Sequence, residues 1–407
     1  MDAIILAAGE GTRLRPLTST RPKPMLPVAG KPILEWNLEA LATCGFKKIV
    51  MVVGYKKEII QRYFGKKFKN LNIEYVEQRE QLGTAHAVSM AEKKVKNDFL
   101  IMNGDILVSE DIIKKVLKEH KNEASMCLAR VSQPEEYGIA ELGGRLVKSI
   151  EEKPEKPRSN LANAGVYIFN KSIFEVIRKL KKSERMEYEL TDALKELIKQ
   201  KRLDGSVCRD RWMDIGKPWD LLDANEITIK RLKEFKVSKK ATVEKYTVLK
   251  GQVAVGDGTV IKSGAYIEGP CIIGKNCTVG PNCFIRPYTV LMDDCRVGNG
   301  VEVKNCIIMA GTVIGHLSYV GDSIIGEKCN FGAGTKVANL RFDDSEVKVM
   351  VKEELKASGR RKFGCLMGDN VKTGINVSIM PGRSIYPGAW VSAGSVVRNT
   401  IYAEEQV

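Results

Sequence analysis

From Val243 onward an aliphatic residue stands at every sixth position: Val243, Leu249, Val255, Ile261, Ile267, Ile273, Val279, Ile285, Leu291, Val297 and Val303. Few backbones accommodate this. A period of six matches neither the alternation of a strand nor the turn of a helix, and it requires a short strand and a tight turn within every hexad. That is the hexapeptide repeat of a parallel β-helix, whose aliphatic residues fill a narrow prism while glycine or a small residue eases each turn. Glycine follows the aliphatic position at Gly256, Gly274, Gly280 and Gly298, and the fifth position holds Thr247, Thr259, Ala265, Cys271, Cys277, Cys283 and Cys295. The register slips by one near Ile308 and again near Ile325, continues through Phe331 and Val337, and resumes at Ile379, Ile385, Val391 and Val397. Residues from about 338 to 366 break the period and are rich in charge, so they are expected to leave the coil as an excursion.

Up to about residue 235 the pattern is different. Short apolar runs alternate with helical spacing, the signature of a mostly parallel sheet covered by helices. The runs DAIILAA from Asp2, KIVMVVG from Lys48, IEYVEQ from Ile73 and DFLIMNGD from Asp98 predict strands. Leu34, Leu38 and Leu41 predict a helix between them, Thr84 is a candidate cap for a helix running to Ala91, and 217–235 predicts a helix leading out. Loops at the carboxyl ends of such strands are the expected ligand site. The domains expected are therefore 1–235, a basic linker over 236–242, and a β-helix over 243–407.

Composition narrows the class of function. None of the ten cysteines forms a C-x-x-C pair and the later ones follow the hexad, which points to reduced, buried small residues rather than a zinc or disulfide framework. A net charge of +15 raises the question of nucleic acid, but the lysines and arginines are scattered without an arginine-rich tract. Anionic phosphate substrates account for the sign equally well, and no nucleic-acid partner is expected. No apolar run reaches the length of a membrane span and no basic leader precedes the first strand, so a cytoplasmic protein without a membrane partner is expected.

The segment LAAGEGTRLRPLTSTRPKPMLPVAGKPILE, starting at Leu6, resembles the signature of the sugar 1-phosphate nucleotidyltransferase family, and the resemblance extends over roughly 1–235. It implies a Rossmann-like α/β domain ahead of the β-helix. Gly9 and Gly11 after a strand let backbone N–H groups approach phosphate oxygens, and Arg13 and Lys23 can neutralise a triphosphate. By resemblance, Leu6, Ala7, Ala8 and Gly9 contact the nucleotide, and Gln78 with the Gly83 and Thr84 backbone in EQREQLGTAHA reads the base. Asp105 of NGD ends an apolar strand, where an unpaired carboxylate is costly to bury, and this points to a Mg²⁺ ligand with Asp214 of WMDIG as its partner. Gly138, Glu152, Lys153 and Asn163 would hold the sugar phosphate, Glu152 on hydroxyls and Lys153 on phosphate. The reaction implied is in-line attack of a sugar 1-phosphate on the α-phosphorus of a nucleoside triphosphate, UTP or dTTP.

The two-part chain further resembles the bifunctional uridylyltransferase and glucosamine-1-phosphate acetyltransferase family, especially its archaeal members. RPYTV supplies Arg286 and VEVK supplies Lys304, both expected to face a substrate phosphate. GHLSYVGD supplies His316 and Tyr319, and NFGAGT supplies Asn330 and Ala333. With acetyl-CoA as co-substrate, transfer needs a base for the proton of the attacking amine, and the imidazole of His316 suits that role. The segment ANLRFDDSEVKV departs from the bacterial pattern, so Asn339, Lys348 and Lys362 are candidate substrate or coenzyme A contacts with the amino sugar left open. The resemblance also implies a homotrimer. The competing readings are a single-activity thymidylyltransferase or guanylyltransferase whose β-helix only assembles subunits, and a catalytically silent regulatory relative. Intact Arg13, Lys23, Asp105 and Asp214 argue against the last.

Overall fold

The computed structural model describes residues 1–208 and 212–402, so the last residues of the expected β-helix domain, 403–407, lie outside the described residues. Packing divides the chain into two compact units, and the division does not fall at one point. The first comprises 1–10, 22–25 and 33–214; the second comprises 11–21, 26–32 and 215–407.

The first unit is built on a ten-stranded sheet. Its parallel part runs Leu71–Glu77, Lys48–Val53, Asp2–Ala7 and Phe99–Asn103, and the apolar runs read from the sequence form these strands. Beyond Phe99–Asn103 the sheet turns mixed, because Leu161–Phe169 pairs antiparallel to it and Gly138–Gly143 folds back on Leu146–Glu152 as a hairpin. The parallel expectation thus holds for the first half, where helices cross over between strands, and again for Leu203–Cys208 against Ala124–Arg130; the pairings between are antiparallel. Each face of the sheet carries its own apolar core, one under Leu34, Leu38 and Leu41 of the helix Ile33–Thr43, the other under Leu190, Leu194 and Leu197 of the helix Leu190–Lys199. Thr84 does not cap the helix Thr84–Met90: Gly83 takes the cap position, and the Thr84 hydroxyl instead accepts the amide of Leu190 at 2.9 Å. It therefore satisfies an orphan donor of a different helix.

The second unit contains three stacked parallel sheets of eight, eight and seven strands, the faces of a left-handed parallel β-helix. The hexad aliphatics from Val255 onward form one continuous interior cluster. Val243, in the first coil, is 41% exposed, since no further coil covers that end of the prism. The stretch 236–242 differs from the linker its composition suggests. Val237 bridges to Val255, and Ser238 donates its amide to Val255 O at 2.9 Å, so this stretch already belongs to the coil. The outgoing helix is shorter than expected and spans Pro218–Arg231.

The fifth position of the hexad is explained by hydrogen bonding as well as by size. Cys277 Sγ donates to Met292 O at 3.1 Å, Cys295 Sγ to Met309 O at 3.2 Å, and Cys329 Sγ to Gly368 O at 3.1 Å. Thr259 and Thr312 donate to the equivalent carbonyls of Gly274 and Gly326. A small donor at the corner thus satisfies a carbonyl that the sheets leave unpaired. Burial pushes the Cys271 and Cys329 thiols up to about 12, so they remain protonated donors. All ten cysteines are free. The excursion leaves after Val337, forms the antiparallel hairpin Lys348–Val351 with Glu354–Ala357, and returns through the fully buried Phe363 to Cys365.

Candidate functional site

In the first unit the ends of three parallel strands form a floor. Gly104 lies so close to the first strand that a Cβ there would meet Leu6 O at 2.7 Å. Gly54 lies equally close to Ala8, whose carbonyl accepts from Tyr55 N at 3.0 Å and Gln81 Nε2 at 3.2 Å. Leu6, Ala7 and Ala8 are therefore fixed, whereas a Cβ at Gly9 would meet nothing within 4 Å. This leaves an open backbone for an anion to approach. Gln78 is buried, and its amide nitrogen donates to Gly83 O at 3.2 Å and lies 3.0 Å from His86 Nδ1. Gly83 has φ +97°, and a Cβ there would strike Tyr188 O at 2.6 Å, so only glycine fits between these groups.

Asp105 is not the unpaired buried carboxylate that its strand-end position suggests. Its side chain is 38% exposed and accepts from Lys23 Nζ at 2.8 Å. The reason is that the strand ends at Asn103, which puts Asp105 in the turn beyond the sheet. Asp214 pairs in register with Ile106, the residue next to Asp105, so two short strands bring the two carboxylates to neighbouring positions. No group of three or more His, Cys, Asp or Glu side chains able to hold a metal occurs among the described residues. A pair of carboxylates is a donor set that suits Mg²⁺, which keeps most of its shell for water and phosphate oxygens.

Gly138 and Glu152 face each other in the hairpin register, and a Cβ at Gly138 would lie 2.8 Å from Glu152 Oε2 and 3.8 Å from Asn163 Cβ. These three residues are brought together; Lys153 follows with φ +47° and donates its amide to Tyr137 O at 3.0 Å. Beneath them, burial pushes the Tyr167 phenol far up, opposed by a hydrogen bond from Asn163 and reinforced by the charges of Glu152 and Asp105. Arg13 is the middle residue of the one-turn helix Thr12–Leu14, which packs with the second unit. In that unit Gly11 has φ +67° and its carbonyl accepts from Thr18 Oγ1 at 2.9 Å. Arg21 pairs with Glu327 at 2.6 Å and Asp369 at 2.5 Å.

On the β-helix the second face carries a ladder of outward residues. Phe284, Glu302, Tyr319 and Lys336 stand in one column beside the inward Ile285, Val303, Val320 and Val337. Arg286 follows Ile285, and Lys304 pairs with Gly321 in the next column. Arg286 pairs with Glu302 at 2.9 Å, and Lys304 with Asp322 at 3.2 Å. Tyr319 accepts from Asn339 Nδ2 at 3.1 Å, and burial pushes its phenol up. His316 is exposed at the edge leading into this face, with only Leu317 and Ser318 between it and Tyr319. Gly334, next to Ala333, donates its amide to His316 O at 3.2 Å. Asn330 pairs instead with Val313, at the far end of the preceding face, so one chain does not bring Asn330 to His316. Lys348 and Lys362 are exposed on the excursion. Glu302, Asn305, Asp322 and Arg360 also belong to this polar cluster, and the sequence reading missed them; the two register slips are the signal that could have found them.

The fold and these sites define a sugar nucleotidyltransferase joined to a hexapeptide β-helix. The Nucleotidyl transferase family model matches residues 2–231, and the GMPPB C-terminal domain model matches 267–400. The chain is 47% identical over 402 residues to "Bifunctional protein GlmU" of Methanocaldococcus jannaschii, covering 98% of this chain and 96% of that protein. It is 44% identical over 404 residues to "Bifunctional sugar-1-phosphate nucleotidylyltransferase/acetyltransferase" of Sulfurisphaera tokodaii, covering 98% of each. A solved structure described as a putative glucose-1-phosphate thymidylyltransferase from Bacillus anthracis aligns with TM-score 0.53 at 28% identity, over 58% of this chain and 98% of that one. The chain belongs to the GlmU-type family of bifunctional sugar-1-phosphate nucleotidylyltransferase/acetyltransferases. It is an enzyme of nucleotidyl transfer and acetyl transfer. No helix among the described residues is long and apolar enough to cross a membrane.

Proposed function

We propose that the enzyme acetylates glucosamine 1-phosphate or galactosamine 1-phosphate with acetyl-CoA, and transfers a nucleotidyl group from UTP or dTTP to N-acetylglucosamine 1-phosphate or glucose 1-phosphate. In the nucleotidyl step the sugar phosphate oxygen attacks the α-phosphorus, a new P–O bond forms, and the bond to pyrophosphate breaks. Glu152 and Asn163 hold the sugar, Lys153 its phosphate, and the Gly9 backbone with Arg13 and Lys23 the triphosphate. Bound by Asp105 and Asp214, Mg²⁺ supplies charge neutralisation for the phosphates. Catalysis is then positioning plus electrostatics, with no covalent enzyme intermediate. The joining of Gly138, Glu152 and Asn163, and the neighbouring register positions of Asp105 and Asp214, support this reading.

In the acetyl step the amine nitrogen attacks the thioester carbonyl, the C–N bond forms, the C–S bond breaks, and coenzyme A leaves as thiol. His316 takes the amine proton, Arg286 and Lys304 meet the phosphate, and Tyr319 and Asn339 line the acceptor. Asn330, Ala333, Lys348 and Lys362 serve acetyl-CoA, and because Asn330 stands apart from His316 the site is completed by a neighbouring prism in a homotrimer. The observation that carries this step is the gathering of Arg286, Lys304, Tyr319 and Asn339 around one face, with an exposed histidine at its edge. Incubation with acetyl-CoA and each amino-sugar phosphate in turn tests the proposed acceptors: free thiol with one of them identifies it as an acceptor, and its absence with both overturns the assignment. Light scattering at micromolar concentration checks the trimer, which a monomeric mass excludes.

A further inference from the structure

The hexad shortens at two corners. Val303 to Ile308 and Val320 to Ile325 are five residues apart where other interior positions are six apart. Both corners leave the second face for the third, and the register Lys304 to Gly321 stacks Asn305 directly beside Asp322, each with positive φ, +49° and +48°. On the next coil the same corner is where the excursion leaves, carrying Asn339 and Arg360. Three successive irregular corners therefore meet at one side chain. Asp322 is 2% exposed, and both its oxygens are occupied by donors: Asn305 Nδ2 at 2.9 Å on Oδ1, and Asn339 Nδ2 at 2.5 Å and Lys304 Nζ at 3.2 Å on Oδ2. Arg360, ion-paired to Asp223, lies 4.0 Å from Oδ1.

We propose that Asp322 is the positioning residue of the acetyl-acceptor site, fixing the Asn339 amide with its carbonyl oxygen turned outward to accept a hydrogen bond from the amine of an amino-sugar phosphate. A side-chain amide has two N–H groups and one carbonyl oxygen. Asn339 directs its nitrogen to Asp322 and to the Tyr319 oxygen at 3.1 Å, which leaves Oδ1 as the group it presents. A carboxylate has only acceptors, so it enforces this orientation; a neutral amide at position 322 offers a donor as well and permits the flip. Gly321 makes the seat. A Cβ there would lie 2.5 Å from Tyr319 OH and 2.6 Å from Asn339 Nδ2, so the pair can close over the backbone only where no side chain stands. The Lys304 ammonium also lies 3.2 Å from this carboxylate, and its charge on the phosphate side survives in Asp322→Asn. The inference rests on the acetyl-transfer reading of this face, and its outcome is separable from that reading.

The test uses the full-length protein, with Asp322→Asn beside the double variant Asp322→Asn/Asn339→Asp, which exchanges the two groups and restores the donor-to-acceptor contact. In acetyl-transfer kinetics, Asp322→Asn is expected to raise KM for glucosamine 1-phosphate about 10- to 100-fold, the range for an unmade hydrogen bond at a buried site. The inhibition constant of glucose 1-phosphate, which lacks the amine, changes by less than about threefold, as does KM for acetyl-CoA. The double variant regains about tenfold. An amine preference unchanged in Asp322→Asn overturns the proposal. Equal weakening of both sugar phosphates with a lowered melting temperature and no recovery in the double variant makes Asp322 structural, and overturns it too. A wild type that releases no thiol sinks the acetyl-transfer reading; calorimetric titration with glucosamine 1-phosphate then decides the role of Asp322, and equal binding by wild type and Asp322→Asn overturns it.

Discussion

The two candidate sites are assembled by opposite means. In the first unit Gly138, Glu152 and Asn163 come from three strands, and Asp105 and Asp214 are joined by pairing across more than a hundred residues. Gly138 and Glu152 meet across a hairpin, but the carboxylate pair and the Lys23 to Asp105 contact are non-local and depend on the sheet closing. On the β-helix, Arg286, Lys304 and Asp322 are brought together by a coil of 17 or 18 residues that returns each position over the last, as the pairs Thr242 to Val260 and Val303 to Val320 show. A site on such a scaffold is placed by counting, and its chemistry enters where the count fails. The comparison teaches that regular register supplies position cheaply, while irregular corners supply the polar contacts.

The sharpest way to break the comparison is a variant that silences one site and spares the other. His316→Ala is expected to lower acetyl transfer by about 10² to 10⁴, the range for a positioned general base, with pyrophosphate release unchanged. Because His316 is exposed, its melting curve should overlay the wild type. Asp105→Asn is the reciprocal case. It removes a charge from a group that pairs with Lys23, and nucleotidyl transfer should fall about 10³-fold while thiol release persists.

A smaller effect, on stability, probes the second unit. Arg21 is buried against Glu327 and Asp369, and Arg21→Ala leaves the nearly buried Asp369 carboxylate without its cation. Loss of about 3 kcal/mol in denaturant unfolding is expected, since truncating one partner strands the other charge. Burial lowers the Arg21 guanidinium while the two carboxylates raise it, and the net shift is upward, so the pair persists throughout the ordinary alkaline range. The folded guanidinium pKa is above its unfolded value; its contribution is present below the unfolded pKa and fades only beyond it. The smallest effect tests the crowding in the sugar site. Gly138→Ala places a Cβ 2.8 Å from Glu152 Oε2, and moving that carboxylate should raise KM for the sugar phosphate about tenfold with kcat little changed.

Legibility in the sequence followed the same contrast. The prism interior from Val255 to Val397 is the hexad as read, because one inward residue per short strand is all the fold requires. Val243 escaped it only because the stack ends there. Asn305 and Asp322 were visible as register slips, yet a slip does not say which side chains meet across it. In the first unit the strands were legible from apolar runs, but the antiparallel turn at Leu161–Phe169 was not, since neither strand periodicity nor burial encodes direction. Asp105 looked unpaired because Lys23, its partner at 2.8 Å, lies far off in sequence. The role of Thr84 was misplaced for the same reason, its hydroxyl serving Leu190 rather than its own helix.

Two independent transfer sites on one chain, acting in succession, should complement each other between variants. Equal amounts of the His316→Ala and Asp105→Asn proteins, each unable to complete both steps, are mixed with glucosamine 1-phosphate, acetyl-CoA, UTP and Mg²⁺, and the nucleotide-linked N-acetyl sugar is measured. Product is expected from the mixture, through free N-acetyl sugar phosphate passing from one protein to the other, and almost none from either variant alone. No product from the mixture, with the wild type active under the same conditions, would contradict it.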